Sequence, residues 1–531
     1  MKYRIILIFI LILAAILRCY NLNFPSLGYH NMMENESLSI ASEMLRTRDF
    51  LHKRVYFLNA FIQDPMIKDN PQPPLIAYQI LLSWKFLGEN LWGPRLFNVF
   101  LGILAVLLMY LVSRYLFNSS LLALFSAFCL SIMPLAVFFS RNLQADIPAF
   151  SFMLLSHLFY LRYIFNFKKY NFILGGLFLS LAWLYKFNFL IVGIIPIIFC
   201  LPYRKIFISP KAGFKFILLF LLSYLIIPLF ILWLKITKQC GLSYQFKLFE
   251  VFTASYWSNY GNALLWYVGE ENFTYTYSLL AVLGIILAIF RMQGLLNRYI
   301  IGSTVSIFIY FLLFSQDLYA NSFSQIPFLA LVCIACSYGV VFISEQIKKY
   351  TKEDTLVYLM VFFFVLSLPQ VKQANKRMFN TFFLGQDVAG QTLKELSQPD
   401  ERIFLFTHPQ GYAISRYAQR YMGWTNDLED FKAKEKTFGI KLVCFYPVEQ
   451  MTLLKQLNPS LFDYIQNNYH LKEIGLLENQ DTPSYFILEK GKEEGRMLAD
   501  FGGTISGQPT VRSIYRLSKN YLFFYTLRPG Q

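Results

Sequence analysis

The first 370 positions of the chain are organised as long apolar runs separated by shorter polar segments. Eleven runs stand out, at 3–19, 94–113, 119–139, 146–165, 171–185, 187–202, 213–234, 274–290, 298–314, 325–344 and 355–370. A hydrocarbon layer about 30 Å thick takes about 20 apolar residues as helix, so each run predicts a membrane span. The segments between them test that reading, because Lys and Arg collect on the cytoplasmic side. Alternate segments carry Lys2 and Arg4, then Arg114, then Arg162, Lys168 and Lys169, then Arg204, Lys205, Lys211 and Lys215, then Arg291 and Arg298, then Lys348, Lys349 and Lys352. The short intervening ones hold little beyond Arg141 and Lys186. The alternation places the amino end in the cytoplasm and everything after about 371 outside. No small-residue cleavage site follows "LAAILRC", so residues 1–20 read as a retained span and not as a signal peptide.

Two outer segments are long. Residues 20–93 contain a helical pattern at 34–47 and an apolar stretch at 74–88 that opens with "PQPP" and is short for a span. Both are expected as interfacial helices. Residues 235–273 interleave Tyr244, Phe246, Phe249, Phe252, Tyr256, Trp257, Tyr260, Trp266 and Tyr267 with polar residues. That pattern fits an interfacial aromatic belt or a lid over a lipid substrate.

Past 371 the periodicity changes. Strand-like "RIFLF" (402–406), helix-like "GYAISRYAQR" (411–420), strand-like "KLVCFY" (441–446), a helical 449–467 and strand-like "SYFILEK" (484–490) alternate as βαβ units do, and 491–531 adds a hairpin. The predicted fold class is an α-helical polytopic membrane protein of about 11 transmembrane helices with a C-terminal soluble α/β domain. The domains are 1–370 in the membrane, with outer segments 20–93 and 235–273, and 371–531 outside it.

Composition agrees with a membrane protein. Of 531 residues 56% are hydrophobic and 15% charged, against nearer a quarter charged in soluble domains, and the 55 Phe and 35 Tyr suit bilayer interfaces. The net charge of +16 is scattered over short segments instead of forming one basic stripe, which excludes nucleic acid as its explanation. Seven cysteines, at 19, 129, 200, 240, 333, 336 and 444, make no disulfide framework, and the close pair Cys333 and Cys336 lies in an apolar run where packing explains it. His408 and Cys444 likewise read as packed residues. No Walker-type glycine loop and no DxD pattern is present, so neither ATP nor a metal-held nucleotide sugar is indicated.

The candidate chemistry lies on outer segments: His30, Glu34 and Glu36 in the first, Arg141 and Asp146 in "SRNLQADIP", and Lys186 in "LYKFN". Charges so near a membrane are costly unless paired or solvated. A carboxylate can take the proton of an acceptor hydroxyl, and cations can meet the charge of a leaving phosphate. Glu34 and Glu36 point about 200° apart on a helix, so one of them faces inward. Glu34 shares a stripe with Leu38, Ala41 and Leu45, while Glu36 lies with Ile40 and Glu43. Asp146 opens a helix two residues before Pro148 and also suits a capping role. Arg141 offers a guanidinium that binds phosphate oxygens bidentately, and Lys186 runs against the positive-inside trend. The residues fix no cofactor. His30, four before Glu34, supplies with it two ligands for a divalent metal, short of a full set.

The acidic residues followed by "IASEML" and "RDF", then "PQPPLIAY", "LGENLWGPRLFN", "SRNLQADIP" and "GGLFLSLAWLYKFN", together resemble the multi-span glycosyltransferases of the protein-mannosyltransferase and lipid A aminoarabinose-transferase type, GT-C fold, family 39. The resemblance covers about 1–345. It implies transfer of a sugar from a polyprenyl-phosphate-linked donor to a glycan, lipid or protein acceptor at the extracytoplasmic face of a bacterial cytoplasmic membrane. It also implies an outer-loop carboxylate as base, here Glu34, Asp146 or Glu36, and cations at the phosphate, here Arg141 and Lys186. The Glu of the family's Asp-Glu pair falls on Glu34, whereas its Asp falls on Met33. Gln72 stands where the aminoarabinose enzymes have a Lys before the loop's proline, and Tyr319 lies further from Pro327 than the family's Tyr before the tenth span. With His30 these are the substrate-binding candidates. Arg95 in "GPRLFN" is expected to fix the fold, and the "NFT" at Asn272 has no expected role. Two other readings stay open: a lipid or polysaccharide transporter, although no internal repeat is evident, and a non-catalytic relative, which Met33 favours.

Overall fold

The computed structural model describes residues 2–58, 60–62, 72–206, 208–236, 249–407, 411–478, 480, 482–493, 509–517 and 520–528. His408, Tyr244 and Phe246 lie outside the described residues. Contacts divide the chain into two units, Met1–Leu22 with Lys68–Met378 and Asn23–Ile67 with Phe379–Gln531.

The first unit is helical, and every apolar run falls on helix. Among the described residues five helices are long and apolar enough to cross a membrane singly, and two bent pairs raise the number to seven if each pair is one span. The protein is thus a multi-pass membrane protein, without the count of eleven being established. Proline explains one break. The run 119–139 divides into Ser120–Ile132 and Pro134–Phe139 at Pro134, which opens the second piece because it lacks the N–H a continuing helix needs. Small residues explain one close approach, between Tyr275–Arg291 and Leu329–Thr351. A Cβ on Gly284 would lie 2.0 Å from the Ala335 carbonyl oxygen, and one on Gly339 would lie 2.5 Å from that of Leu280. The aromatic segment carries a helix, Ala254–Trp266, continued by a π-helical Tyr267–Asn272 and followed after a 107° bend by Tyr275–Arg291. Buried His157 is satisfied on both nitrogens, 2.8 Å from the Tyr299 hydroxyl and 2.8 Å from the Gly193 carbonyl oxygen, and so ties three helices.

The second unit holds a seven-stranded mixed sheet. Its strands are β1 (Ile403–Thr407), β2 (Met422–Gly423), β3 (Leu442–Tyr446), β4 (Tyr469–Leu477), β5 (Tyr485–Lys490), β6 (Thr510–Leu517) and β7 (Asn520–Leu527), in the spatial order β2-β1-β3-β5-β4-β7-β6. β1 pairs parallel with β2 and β3, and the remaining pairs are antiparallel. The expected strands at 402–406, 441–446 and 484–490 are β1, β3 and β5, but β5 runs against β3, so the βαβ pattern covers β1 to β3 alone. Alternation along the strands builds a core on each face. Leu405, Cys444 and Ile487 point to one, and Phe404, Phe406, Val443, Phe445 and Leu488 to the other.

The segment 23–67 is part of this unit. Phe24, Leu27 and Phe57 enter the first core. The Phe383 N–H donates to the Leu27 carbonyl oxygen at 2.8 Å, the Met422 N–H donates to that of Tyr56 at 2.6 Å, and the Leu58 N–H donates to that of Met422 at 3.1 Å. The helical pattern at 34–47 is the helix Asn31–Thr47, buried along much of its length within this unit. The stretch at 74–88 is Leu75–Leu87, in the first unit.

Candidate active site

In the membrane unit two helix ends bring opposite charges together. Asp146 is the first residue of the helix Asp146–Asn166, and Lys186 follows the last residue of Lys169–Tyr185 in extended conformation. The Lys186 ammonium donates to Asp146 Oδ1 at 2.6 Å, with the carboxylate side chain 4% exposed and the lysine 21%. The ammonium also lies 4.8 Å from the centroid of the Phe323 ring, a cation–π contact. Asp317 stands within electrostatic reach of Asp146. A lysine ammonium has three N–H donors, and one is directed at Asp146.

A buried amide network holds the loop that precedes Asp146. The Tyr185 hydroxyl donates to Gln79 Oε1 at 2.9 Å, and Gln79 Nε2 donates to Asn98 Oδ1 at 2.9 Å. Asn98 Nδ2 donates to the carbonyl oxygens of Asn142 at 2.5 Å and Gln144 at 3.3 Å. Sequence reasoning missed Gln79 and Asn98. The available signal was a lone amide in each of the apolar stretches "LIAYQILL" and "RLFNVF", since such groups must find partners in a membrane unit.

Arg141 is buried, with Nη1 donating to the carbonyl oxygens of Tyr20 at 3.2 Å and Asn21 at 3.0 Å and the guanidinium 5.2 Å from the Phe138 centroid. Arg95 reaches the neighbouring Leu22 carbonyl oxygen at 2.7 Å. Both arginines therefore clasp the chain where the first helix ends. Tyr319 stacks face to face on Tyr260 with centroids 3.6 Å apart. Gln72 is half-buried ahead of the helix Leu75–Leu87.

The first-loop acids belong to the second unit. Glu34 is buried and accepts from the Ser26 hydroxyl at 2.5 Å, while the Asn35 amide donates to the Ser26 carbonyl oxygen at 2.8 Å, so the turn at 26 and the helix start lock together. Glu36 is half-buried. Burial pushes its carboxyl up from the usual range, and nearby Lys53 opposes the shift. Burial in turn pushes the Lys53 ammonium down to about 8. His30 caps the helix in left-handed conformation at φ 51°, its ring 4.2 Å from that of Tyr29, and burial pushes the imidazole down to about 4. Met33, where the resemblance expected an Asp, is exposed.

On the stripe through Glu36, Ile40 and Glu43, Ile40 and Glu43 are both buried. Glu43 accepts from Arg46 Nε at 2.7 Å and Nη2 at 2.9 Å, and from the Tyr421 hydroxyl. Burial alone would raise its carboxyl, but bonds from Arg46, Tyr421 and Tyr56 outweigh that and hold it below the usual range. The structure thus joins Asp146 with Lys186, engages Arg141 and Tyr319 elsewhere in the same unit, and sets His30, Glu34 and Glu36 in the other. Among the described residues no three His, Cys, Asp or Glu side chains converge as a metal site, so His30 and Glu34 do not gain the further ligands a divalent ion needs.

A family model described as dolichyl-phosphate-mannose-protein mannosyltransferase matches residues 71–233. An uncharacterised protein of Aquifex aeolicus (strain VF5) is 30% identical over 181 residues, 34% of this chain and 34% of that protein. The match therefore spans about a third of that relative. Among solved structures, the archaeal oligosaccharyltransferase AglB from Archaeoglobus fulgidus, in complex with an inhibitory peptide and a dolichol-phosphate, superposes with TM-score 0.58 at 11% identity over 91% of this chain and 74% of that one. ArnT from Cupriavidus metallidurans in the apo state superposes with TM-score 0.56 at 13% identity over 91% and 97%. The same protein bound to undecaprenyl phosphate gives TM-score 0.54 at 12% identity over 91% and 97%. The chain carries the fold of the GT-C glycosyltransferases, as its motifs suggested.

Proposed function

We propose that the protein is a glycosyltransferase of the bacterial cytoplasmic membrane that moves a sugar from a polyprenyl-phosphate-linked donor to an acceptor hydroxyl at the extracytoplasmic face. In this reading the amino terminus is cytoplasmic, residues 1–22 and 68–378 form the membrane domain, and 23–67 with 379–531 form the extracytoplasmic one. The buried Asp146–Lys186 pair carries the proposal, because placing an ammonium and a carboxylate together at membrane helix ends carries a desolvation cost that a role at the substrate phosphate would explain. The fold supports it, as do the dolichol-phosphate and the undecaprenyl phosphate bound in two structures that share it.

In the proposed step the acceptor hydroxyl gives its proton to a carboxylate oxygen, and its oxygen bonds to the anomeric carbon. The bond from that carbon to the phosphate oxygen breaks, and polyprenyl phosphate leaves with the electron pair. Lys186, oriented by Asp146, meets the phosphate charge, and Arg141 is the sequence's second candidate cation for it. Asp146 is the candidate base in the same unit as Lys186; by sequence alone Glu34 ranks before it and Glu36 after it, and Gln72, Tyr319 and His30 are the sequence's candidates for substrate contacts.

The test substitutes E34Q, D146N and E36Q singly and measures sugar transfer from labelled polyprenyl-phosphate carrier in vesicles. Loss of the base lowers transfer about 10²- to 10⁴-fold. Transfer unchanged in all three sinks the assignment. If wild type itself forms no product, the non-catalytic reading that exposed Met33 favours takes its place.

A further inference from the structure

A cleft of about 470 Å³ lies among the helices Asp146–Asn166, Lys169–Tyr185 and Pro210–Ser223. One wall is aromatic and aliphatic, with Tyr163, Phe216, Leu219 and Leu222. That wall is fixed from behind, since the Phe172 ring meets Tyr163 edge-on at 5.0 Å and Phe216 at 5.0 Å within a buried cluster. Lys169 and Lys215 also line the cleft, both exposed, and among the described residues no carboxylate does. Lys168 and Lys211, next to the first and one helical turn before the second, are exposed too. Neither cleft lysine is needed to bury another charge, so their positive field is open to a ligand.

Position restricts what that ligand is. Asp146 and Lys186 occupy the opposite ends of two of these helices from Tyr163 and Lys169. A 21-residue helix is about 30 Å long, a bilayer's hydrocarbon thickness, so the cleft and the Asp146–Lys186 pair face opposite sides of the membrane. A carrier phosphate reacting at that pair cannot also sit in the cleft. What is present at such a level is membrane lipid. Two ammonium groups beside a mainly apolar wall complement a phosphodiester that carries acyl chains and no cation of its own.

We infer that the cleft binds one anionic phospholipid, its phosphate between Lys169 and Lys215 and an acyl chain along Phe216, Leu219 and Leu222. The preference for phospholipid over carrier lipid rests on the reaction proposed at Asp146 and Lys186, whereas the binding itself is read without any sugar transfer. It is tested by native mass spectrometry of the full-length protein in detergent, titrated separately with phosphatidylglycerol, phosphatidylcholine and undecaprenyl phosphate. Wild type is expected to retain phosphatidylglycerol in preference to phosphatidylcholine. K169Q or K215Q weakens retention about fivefold and the double variant about thirtyfold. K169R/K215R keeps it, and K348Q/K349Q, at the exposed end of another helix, leaves it unchanged. Retention by K169Q/K215Q equal to wild type overturns the inference, as does equal retention of phosphatidylcholine. Undecaprenyl phosphate displacing phosphatidylglycerol from the same lysines overturns it in favour of the carrier lipid.

Discussion

Removing one member of the Asp146–Lys186 pair has unequal consequences, and the inequality follows from exposure. Lys186→Met leaves a carboxylate whose side chain is 4% exposed and whose ammonium partner is gone, a loss of about 3–5 kcal/mol for a buried pair broken from one side. Asp146→Asn leaves an ammonium that is 21% exposed and still 4.8 Å from the Phe323 ring, so the cost falls to roughly 1–3 kcal/mol. Asp146→Leu combined with Lys186→Met removes both charges and should lie within about 1 kcal/mol of wild type, because the desolvation of both groups disappears with their attraction. The assay is unfolding in mixed micelles, read as the first transition for wild type, the singles and the double, with sugar transfer measured on the same samples. A pair that only joins helix ends recovers stability and transfer together in the double variant. A pair that serves the reaction recovers stability while transfer stays about 10²-fold or more below wild type. The reasoning is refuted if Lys186→Met is no more damaging than Lys348→Met at an exposed helix end.

The amide network predicts that Gln79→Leu, which strands the Tyr185 hydroxyl and an Asn98 oxygen, costs about 1–3 kcal/mol, and Tyr185→Phe about 1, in the same unfolding assay. The close helix crossing predicts that Gly284→Ala, whose Cβ would meet a backbone oxygen at 2.0 Å, lowers the thermal midpoint. Gly261→Ala, with its nearest atom at 3.4 Å, leaves the midpoint unchanged or raises it. His30 predicts a pH dependence: with its imidazole pushed from 6.5 down to about 4, the unfolded chain takes a proton first as pH falls, so stability declines between about 6.5 and 4 and then levels. His30→Gln should flatten that decline, read as hydrogen-exchange protection of Asn31–Thr47 corrected for intrinsic rate. Glu36 acts with the opposite sign, since its raised carboxyl favours the folded state at low pH and that contribution is lost as pH rises through its folded value.

Elements with a strong period were legible in the sequence. Apolar runs announced the membrane helices, and β1, β3 and β5 were visible as short apolar strands. Strand β4 was not, because "YHLKEIGLL" interrupts its apolar alternation with Lys472 and Glu473, and Glu473 is buried only because Thr392, Tyr485 and Arg528 satisfy it. Nothing local marks such a partner set, whose members lie far apart in the chain. Glu43 is the same case, a charge that looks like a solvated helix face until Arg46 and Tyr421 close over it. At the candidate site the residue types were legible, and the Asp146–Lys186 contact joins two of them. The sequence did not disclose that Arg141 would be engaged by carbonyl oxygens, because backbone acceptors leave no trace in side-chain patterns.

The segment 23–67 and the residues after 378 form one unit across an interruption of residues 68–378. At synthesis rates of roughly 5–20 residues per second, Phe24, Leu27 and Phe57 wait about 17–76 s for β1, the first of the strands that cover them. During that delay the early segment is an apolar strip without its sheet. Any truncation before β1 makes the delay permanent, which turns a loss at the carboxyl end into exposed surface at the amino end.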